Sequence, residues 1–339
     1  MTSASDSSTA ASLNAGTADT EPRWGVSLPF GDVGLAAQID QYRRLADAGY
    51  TDFWTLEASG WDAFTPLAMM ATALPEARFG TAIVPVFTRG AATLAGHAAA
   101  MSELFGDRFT LGLGASTPPI VRNWNGLAYE EPFKRTRDTL RFLRAALAGE
   151  KVTEEYETFS ISGFKIDRPP AQPPSIMVAA LRPGMLRLAG SDGDGALLSW
   201  AAFGDIARIR ETAGTDVTLG QRLFVCPSTD REQVLAVARR QIAWYATTPT
   251  YRAFHEWAGR TEPFEAMWKL WEVGDRRAAV EAIPERVVDE LVINGSPAEC
   301  VEHVERFRQA GIKIPLIHVI PIGNSMFEAA LSVAPTTLL

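Results

Sequence analysis

The 339 residues carry 32 Lys and Arg against 40 Asp and Glu, a formal net charge of −8, with 47% hydrophobic and 21% charged residues. At roughly 100–200 residues per domain this length allows two domains or one large barrel, and the acidic balance argues against nucleic acid or an anionic membrane as the main partner. Two distant cysteines, Cys226 and Cys300, make no disulfide framework and point to a reducing, cytoplasmic setting, and no apolar run approaches the ~20 residues of a membrane span.

Residues 1–22 are rich in Ser, Thr and Ala, without an apolar core or a basic start, and read as a disordered tail rather than a signal peptide. From Trp24 onward, short apolar runs alternate with helical patterns. The runs are Trp24–Leu28, Asp52–Leu56, Phe79–Val84, Phe109–Leu113, Ser175–Ala179, Ala196–Trp200, Val217–Cys226 and Ile312–Ile320. Most lack polar alternation, as strands buried on both faces should. Between them, Leu35, Ile39, Tyr42 and Leu45 form one helical stripe, and Cys300, Val304 and Phe307 another. The second helix has start signals in Ser296, Pro297 and Glu299, a capping box. Glycines 49, 149, 190, 214 and 311 follow alanine where a helical pattern stops, as C′ glycines do.

Strand–helix alternation with short returns means parallel βαβ units, and eight of them predict a closed (β/α)8 barrel over residues 23–339. An open doubly wound sheet is the alternative, but Gly112-Leu113-Gly114 lacks the third glycine of a dinucleotide loop and is followed by Pro118-Pro119. Two stretches break the alternation. Residues 151–172 read as a hairpin-like excursion after the fourth helix, around Ser162-Gly163. Residues 247–294 read as a helical insertion before the last helix, with Phe264, Met267, Trp268 and Trp271 on one stripe. That stripe either packs on the barrel or forms a lid or subunit interface.

His97, His255, His303 and His318 show no zinc spacing, and neither a G-x-S-x-G elbow nor a P-loop is present, so no metal is expected. In a barrel, function belongs to the loops after the strands. After strand 5, Pro183 starts a helix and Gly184 exposes backbone, so N–H groups and a positive dipole end face an anion, with Arg182 and Arg187 adding charge.

Three segments then stand in order: Gly80-Thr-Ala-Ile-Val-Pro-Val-Phe-Thr-Arg89, Asp107-Arg-Phe-Thr-Leu-Gly-Leu-Gly-Ala-Ser116, and Ala179-Ala-Leu-Arg-Pro-Gly-Met-Leu-Arg-Leu-Ala-Gly190. Together they resemble the luciferase-like monooxygenase superfamily, and within it the coenzyme F420-dependent oxidoreductases, from about Trp24 to Gly323. The resemblance implies a (β/α)8 barrel with a flavin-type ring across its C-terminal mouth. It implies a cis peptide at Ala82-Ile83 behind the ring, with Val84 beside it, and a ring contact from Glu57, the one candidate for a catalytic residue. Ala115, Ser116 and Thr117 match the strand-4 loop, and Ala180, Leu181, Arg182, Gly184 and Met185 the phosphate-holding strand-5 loop. Ala58 and Thr117 stand where F420 sugar-phosphate dehydrogenases carry histidine and glutamate, so sugar-phosphate oxidation is not expected. Ala58 and Ser59 also depart from the Glu-His-His of flavin monooxygenases. Trp61, Phe87, Trp124 and Trp200 lie in or beside strand-end loops and suggest an apolar pocket. The expectation is an F420-dependent reductase of an apolar small molecule, with a homodimer as assembly. An FMN-dependent monooxygenase and a redox-silent accessory barrel are the alternatives.

Overall fold

Unbroken apolar runs suit strands covered on both faces, and the eight runs form the eight strands of a closed parallel barrel. In the computed structural model, which describes residues 22–338, these are β1 (Gly25–Leu28), β2 (Asp52–Thr55), β3 (Arg78–Thr81), β4 (Phe109–Gly114), β5 (Ser175–Ala179), β6 (Gly195–Ser199), β7 (Thr218–Cys226) and β8 (Ile314–Val319). Each pairs in parallel with the next, and β8 returns to β1 through Leu316 opposite Gly25. The expected tail, apart from residue 22, lies outside the described residues.

The barrel interior is a separate cluster of Trp54, Met177, Leu197, Ile314 and Leu316, with Ala82 and Ile83 packed on it. Glycines make room for it. A Cβ on Gly80 would lie 2.5 Å from the Trp54 ring, and one on Gly112 would lie 1.8 Å from the Thr81 carbonyl oxygen and 2.5 Å from Leu197. At the N-terminal end the fully buried Asp52 is held by Arg23 and by the Thr51 hydroxyl at 2.7 Å.

Strand 3 is shorter than the run Phe79–Val84 predicted. It stops at Thr81, the Ala82–Ile83 peptide is cis, and pairing resumes at Val84–Pro85 against Leu113 and Gly114. The capping box stands: Ser296 N–H donates to Glu299 at 2.7 Å and Glu299 N–H to Ser296 Oγ at 3.4 Å. Glycines 49, 149, 214 and 311 adopt positive φ at helix ends, whereas Gly190 does not. It stays inside the helix Pro183–Ser191, where a Cβ would come 2.0 Å from the Ala213 carbonyl. Close helix approach, not chain reversal, is what glycine serves there.

The excursion after the fourth helix is an antiparallel hairpin, Val152–Glu155 with Ser160–Phe164. Its turn is closed by Tyr156 N–H to Phe159 O at 2.9 Å, so Ser162-Gly163 lies within the second strand, where the register shifts, and not at the turn. The insertion consists of the helices Pro249–Trp257, Thr261–Glu272, Arg276–Glu281 and Glu285–Leu291, but it does not stay helical to residue 294: Val292–Asn294 is a short strand parallel to the end of β7. Phe264, Met267 and Trp268 are buried with Trp200, Phe224 and the helix Arg231–Ala246, and the Trp268 indole donates to Ala246 O at 2.9 Å. Packing therefore accounts for the aromatic stripe. One placement changes: the insertion precedes the helix Pro297–Gln309, and the last α-helix is Met326–Ser332, which follows β8 under its own Ser325–Glu328 capping box.

Candidate functional site

The C-terminal ends of β2 to β5 are neighbours in the ring, so the predicted cofactor residues gather on one side of the barrel mouth. At the end of β2, Glu57 N–H donates to Ile83 O at 3.3 Å, and its carboxylate is paired with Arg89 from the loop after strand 3. The two side chains are only 18% and 14% exposed, and Arg89 lies over the Phe64 ring at 5.2 Å. Glu57 thus already has an ion-pair partner in Arg89. Ala58 is exposed beside it, and Trp61 stands exposed at the rim, just before Asp62, which accepts from Phe64 and Thr65 N–H at 2.9 and 3.0 Å.

Across β4, Ala115, Ser116 and Thr117 are half-buried, and Ser116 has φ +60. The Tyr129 hydroxyl donates to Ser116 O at 3.2 Å, and its ring lies 5.0 Å from Phe87, which makes Phe87 part of a wall. Burial raises the Tyr129 phenol, while Thr250 of the insertion and the charges of Arg182 and Arg122 act against the shift. Trp124, at the end of the turn Pro119–Trp124, is exposed.

The helix Pro183–Ser191 opens directly after β5 with Arg182 at its N-cap and no side-chain cap. Helix geometry leaves the N–H groups of Gly184 and Met185 without intrahelical acceptors. Arg182 and Gly184 are exposed, while Leu181 and Met185 are half-buried. A Cβ on Gly184 would meet only the Phe133 ring, at 3.8 Å. The combination of unsatisfied N–H donors, a positive dipole end and an arginine fits a phosphate. On the same side of the mouth, two strands away, the half-buried Ala82 and Ile83 offer an apolar backing for a flat ring. The residues present therefore fit a phosphorylated flavin-type cofactor.

Three expected contacts are corrected. Val84 and Ala180 are fully buried in the core shared with the helices, because alternate strand positions point outward, so their side chains do not face the mouth. Trp200 is not an open wall residue: it is 2% exposed, with φ +61, and its ring stacks on Phe224 at 3.7 Å inside the cluster formed with the insertion.

On the opposite side of the mouth lies a polar group absent from the predicted site. Arg222 of β7 donates to His318 Nδ1 of β8 at 3.0 Å and to the Tyr245 hydroxyl at 3.2 Å. Enclosure, with the Arg222 charge beside it, holds His318 well below the ordinary histidine range. The available signal was a polar residue interrupting an apolar run, at Arg222 and again at His318. The thiols are poor nucleophiles, since burial pushes Cys226 up to about 11 and Cys300 up to about 12.

Among curated relatives, a Mycobacterium tuberculosis protein that carries coenzyme F420-dependent oxidoreductase as its provisional name is 27% identical, over 84% of this chain and 88% of its own. The 5,10-methylenetetrahydromethanopterin reductase of Archaeoglobus fulgidus is 23% identical, over 84% of this chain and 90% of its own. The solved structure of the coenzyme F420-dependent tetrahydromethanopterin reductase of Methanopyrus kandleri superposes with a TM-score of 0.75 at 19% identity, covering 93% of this chain and 97% of that one. The sequence model of the luciferase-like monooxygenase family matches residues 12–313, and the chain belongs to that family of oxidoreductases.

Proposed function

We propose that the protein is an F420-dependent oxidoreductase that works as a reductase on an apolar organic substrate, in the cytoplasm. The observation that carries the reading is the uncapped start of the helix Pro183–Ser191, with Arg182 and an exposed Gly184 at the mouth of a barrel whose relatives include F420 enzymes. When bound, the deazaflavin supplies the hydride chemistry. The chain's own task is then placement. Gly184 and Met185 N–H groups and Arg182 bind the phosphate, Ala82 and Ile83 back the ring, and the Glu57–Arg89 pair braces its edge. Ala58 and Thr117 offer no side chain that titrates near neutral pH, which favours a reductase that draws its proton from water or substrate over an alcohol dehydrogenase.

Titration of the protein with F420 and with FMN, followed by quenching of cofactor fluorescence, tests this. Tighter binding of F420 is the expected result. FMN binding at least as tightly supports the monooxygenase alternative, and absence of binding by either supports a redox-silent barrel.

A further inference from the structure

Among the described residues, four enclosed arginines meet a carboxylate: Arg23 with Asp52, Arg89 with Glu57, Arg137 with Asp138, and Arg260 with Asp205. Arg222 has none among the described residues; its polar partners there are the Tyr245 hydroxyl and His318 Nδ1, and its Nε is buried with no hydrogen-bond partner. A guanidinium has only donors, so both partners must accept from it. His318 is then neutral with its proton on Nε2, and the Tyr245 hydroxyl keeps its own proton to donate. A further unpartnered donor lies nearby, for the Trp200 indole Nε1 is also buried without a partner, its ring 5.2 Å from that of Tyr245. The cluster combines a positive charge and several donors with no carboxylate within ion-pair distance among the described residues, and Ser199 Oγ, beside Arg222 on β6, is a further buried group without a partner. Buried donors left in this way call for an acceptor.

Place in the fold says which molecule brings it. Arg222 points to the inside of the barrel, since it pairs with Leu316, which belongs to the interior cluster. β7 stands four strands from β3 in either direction round the ring, so Arg222 faces the Ala82–Ile83 segment across the mouth. A substrate between a ring backed by Ala82–Ile83 and the far wall meets Arg222 with one end. The Arg222 guanidinium lies 5.0 Å from the Phe224 ring, which is itself stacked on Trp200.

We propose that Arg222, His318 and Tyr245 form a head-group site for the substrate, which is an organic acid: an apolar body with a carboxylate that docks on the guanidinium. The proposal rests on the reading that this mouth binds cofactor and substrate together, and its test is independent of the cofactor.

The cofactor-free protein is titrated by calorimetry with benzoate and with benzamide, a neutral analogue of the same shape. Charge-assisted hydrogen bonds predict that benzoate binds about tenfold to a hundredfold more tightly. Arg222→Met should abolish the preference and Arg222→Lys should keep part of it. Equal affinity of the unaltered protein for the two compounds overturns the proposal whatever the variants do, and so does a preference that survives Arg222→Met. F420 titration of the unaltered protein separately decides the cofactor reading, so failure of one is not mistaken for failure of the other.

Discussion

Replacing Asp205 with asparagine should destabilise the whole protein, because this residue fastens the insertion to the barrel. Asp205 accepts from Arg260 Nη1 at 2.9 Å and Nη2 at 2.8 Å, and its second oxygen also accepts from Ala202 N–H at 2.8 Å. The two side chains are 10% and 8% exposed, and the guanidinium Nε donates to His255 Nδ1 at 3.1 Å. Asparagine keeps the shape but turns an amide N–H towards the guanidinium and removes its counter-charge. Breaking one side of a buried ion pair costs about 3–5 kcal/mol, a large share of the 5–15 kcal/mol that holds a typical domain. With an unfolding entropy of about 0.6 kcal/mol/K for roughly 300 ordered residues, Tm should fall by about 5–8 °C. Thermal unfolding followed by circular dichroism checks this, together with Arg260→Met and the double variant. The double variant should lose less than the two single losses added together, since it leaves no unpaired charge. A midpoint for Asp205→Asn equal to the parent's, or strictly additive losses, would refute the reasoning.

Acid should destabilise the protein from a defined pH downward. Burial, aided by Arg260, pushes His255 down to about 3, and enclosure holds His318 well below its usual value. Their folded pKa values are depressed, so the unfolded chain takes up protons first. The stabilisation is present above pH ~6.5 and is lost as pH falls from there towards the folded values, at up to about 1.4 kcal/mol per pH unit for each group. Tm measured between pH 7.5 and 5 should drop, and His255→Gln should flatten the slope; an unchanged slope would count against His255. Arg182→Ala should weaken F420 binding about tenfold to a hundredfold by loss of a charge-assisted hydrogen bond, and unchanged affinity in a fluorescence titration would remove the loop after β5 from the site. Gly112→Ala should abolish soluble expression or lower Tm steeply, since its methyl would lie 1.8 Å from backbone, whereas Gly184→Ala, with its nearest neighbour at 3.8 Å, should melt like the parent.

Local periodicity carried the strands, the helix stripes and the capping box at Ser296, because each depends on residues a few positions apart. The barrel followed from counting such units, and the loop at Arg182–Met185 from its own Pro and Gly. Partners distant in sequence were beyond that reach. Glu57 and Arg89 stand 32 residues apart, and Arg222 and His318 stand 96 apart. Nothing in either segment names its partner; closing the ring brings β7 beside β8. Likewise the outward direction of Val84 and Ala180 depends on where strand 3 breaks and how β5 is registered, and the burial of Trp200 on an insertion folding back over it. A sequence states which residues are apolar, charged or flexible. Which of them share one mouth, and which charge is left there without a counter-charge, is decided by strand order and register, which arise only when the eight strands close on one another.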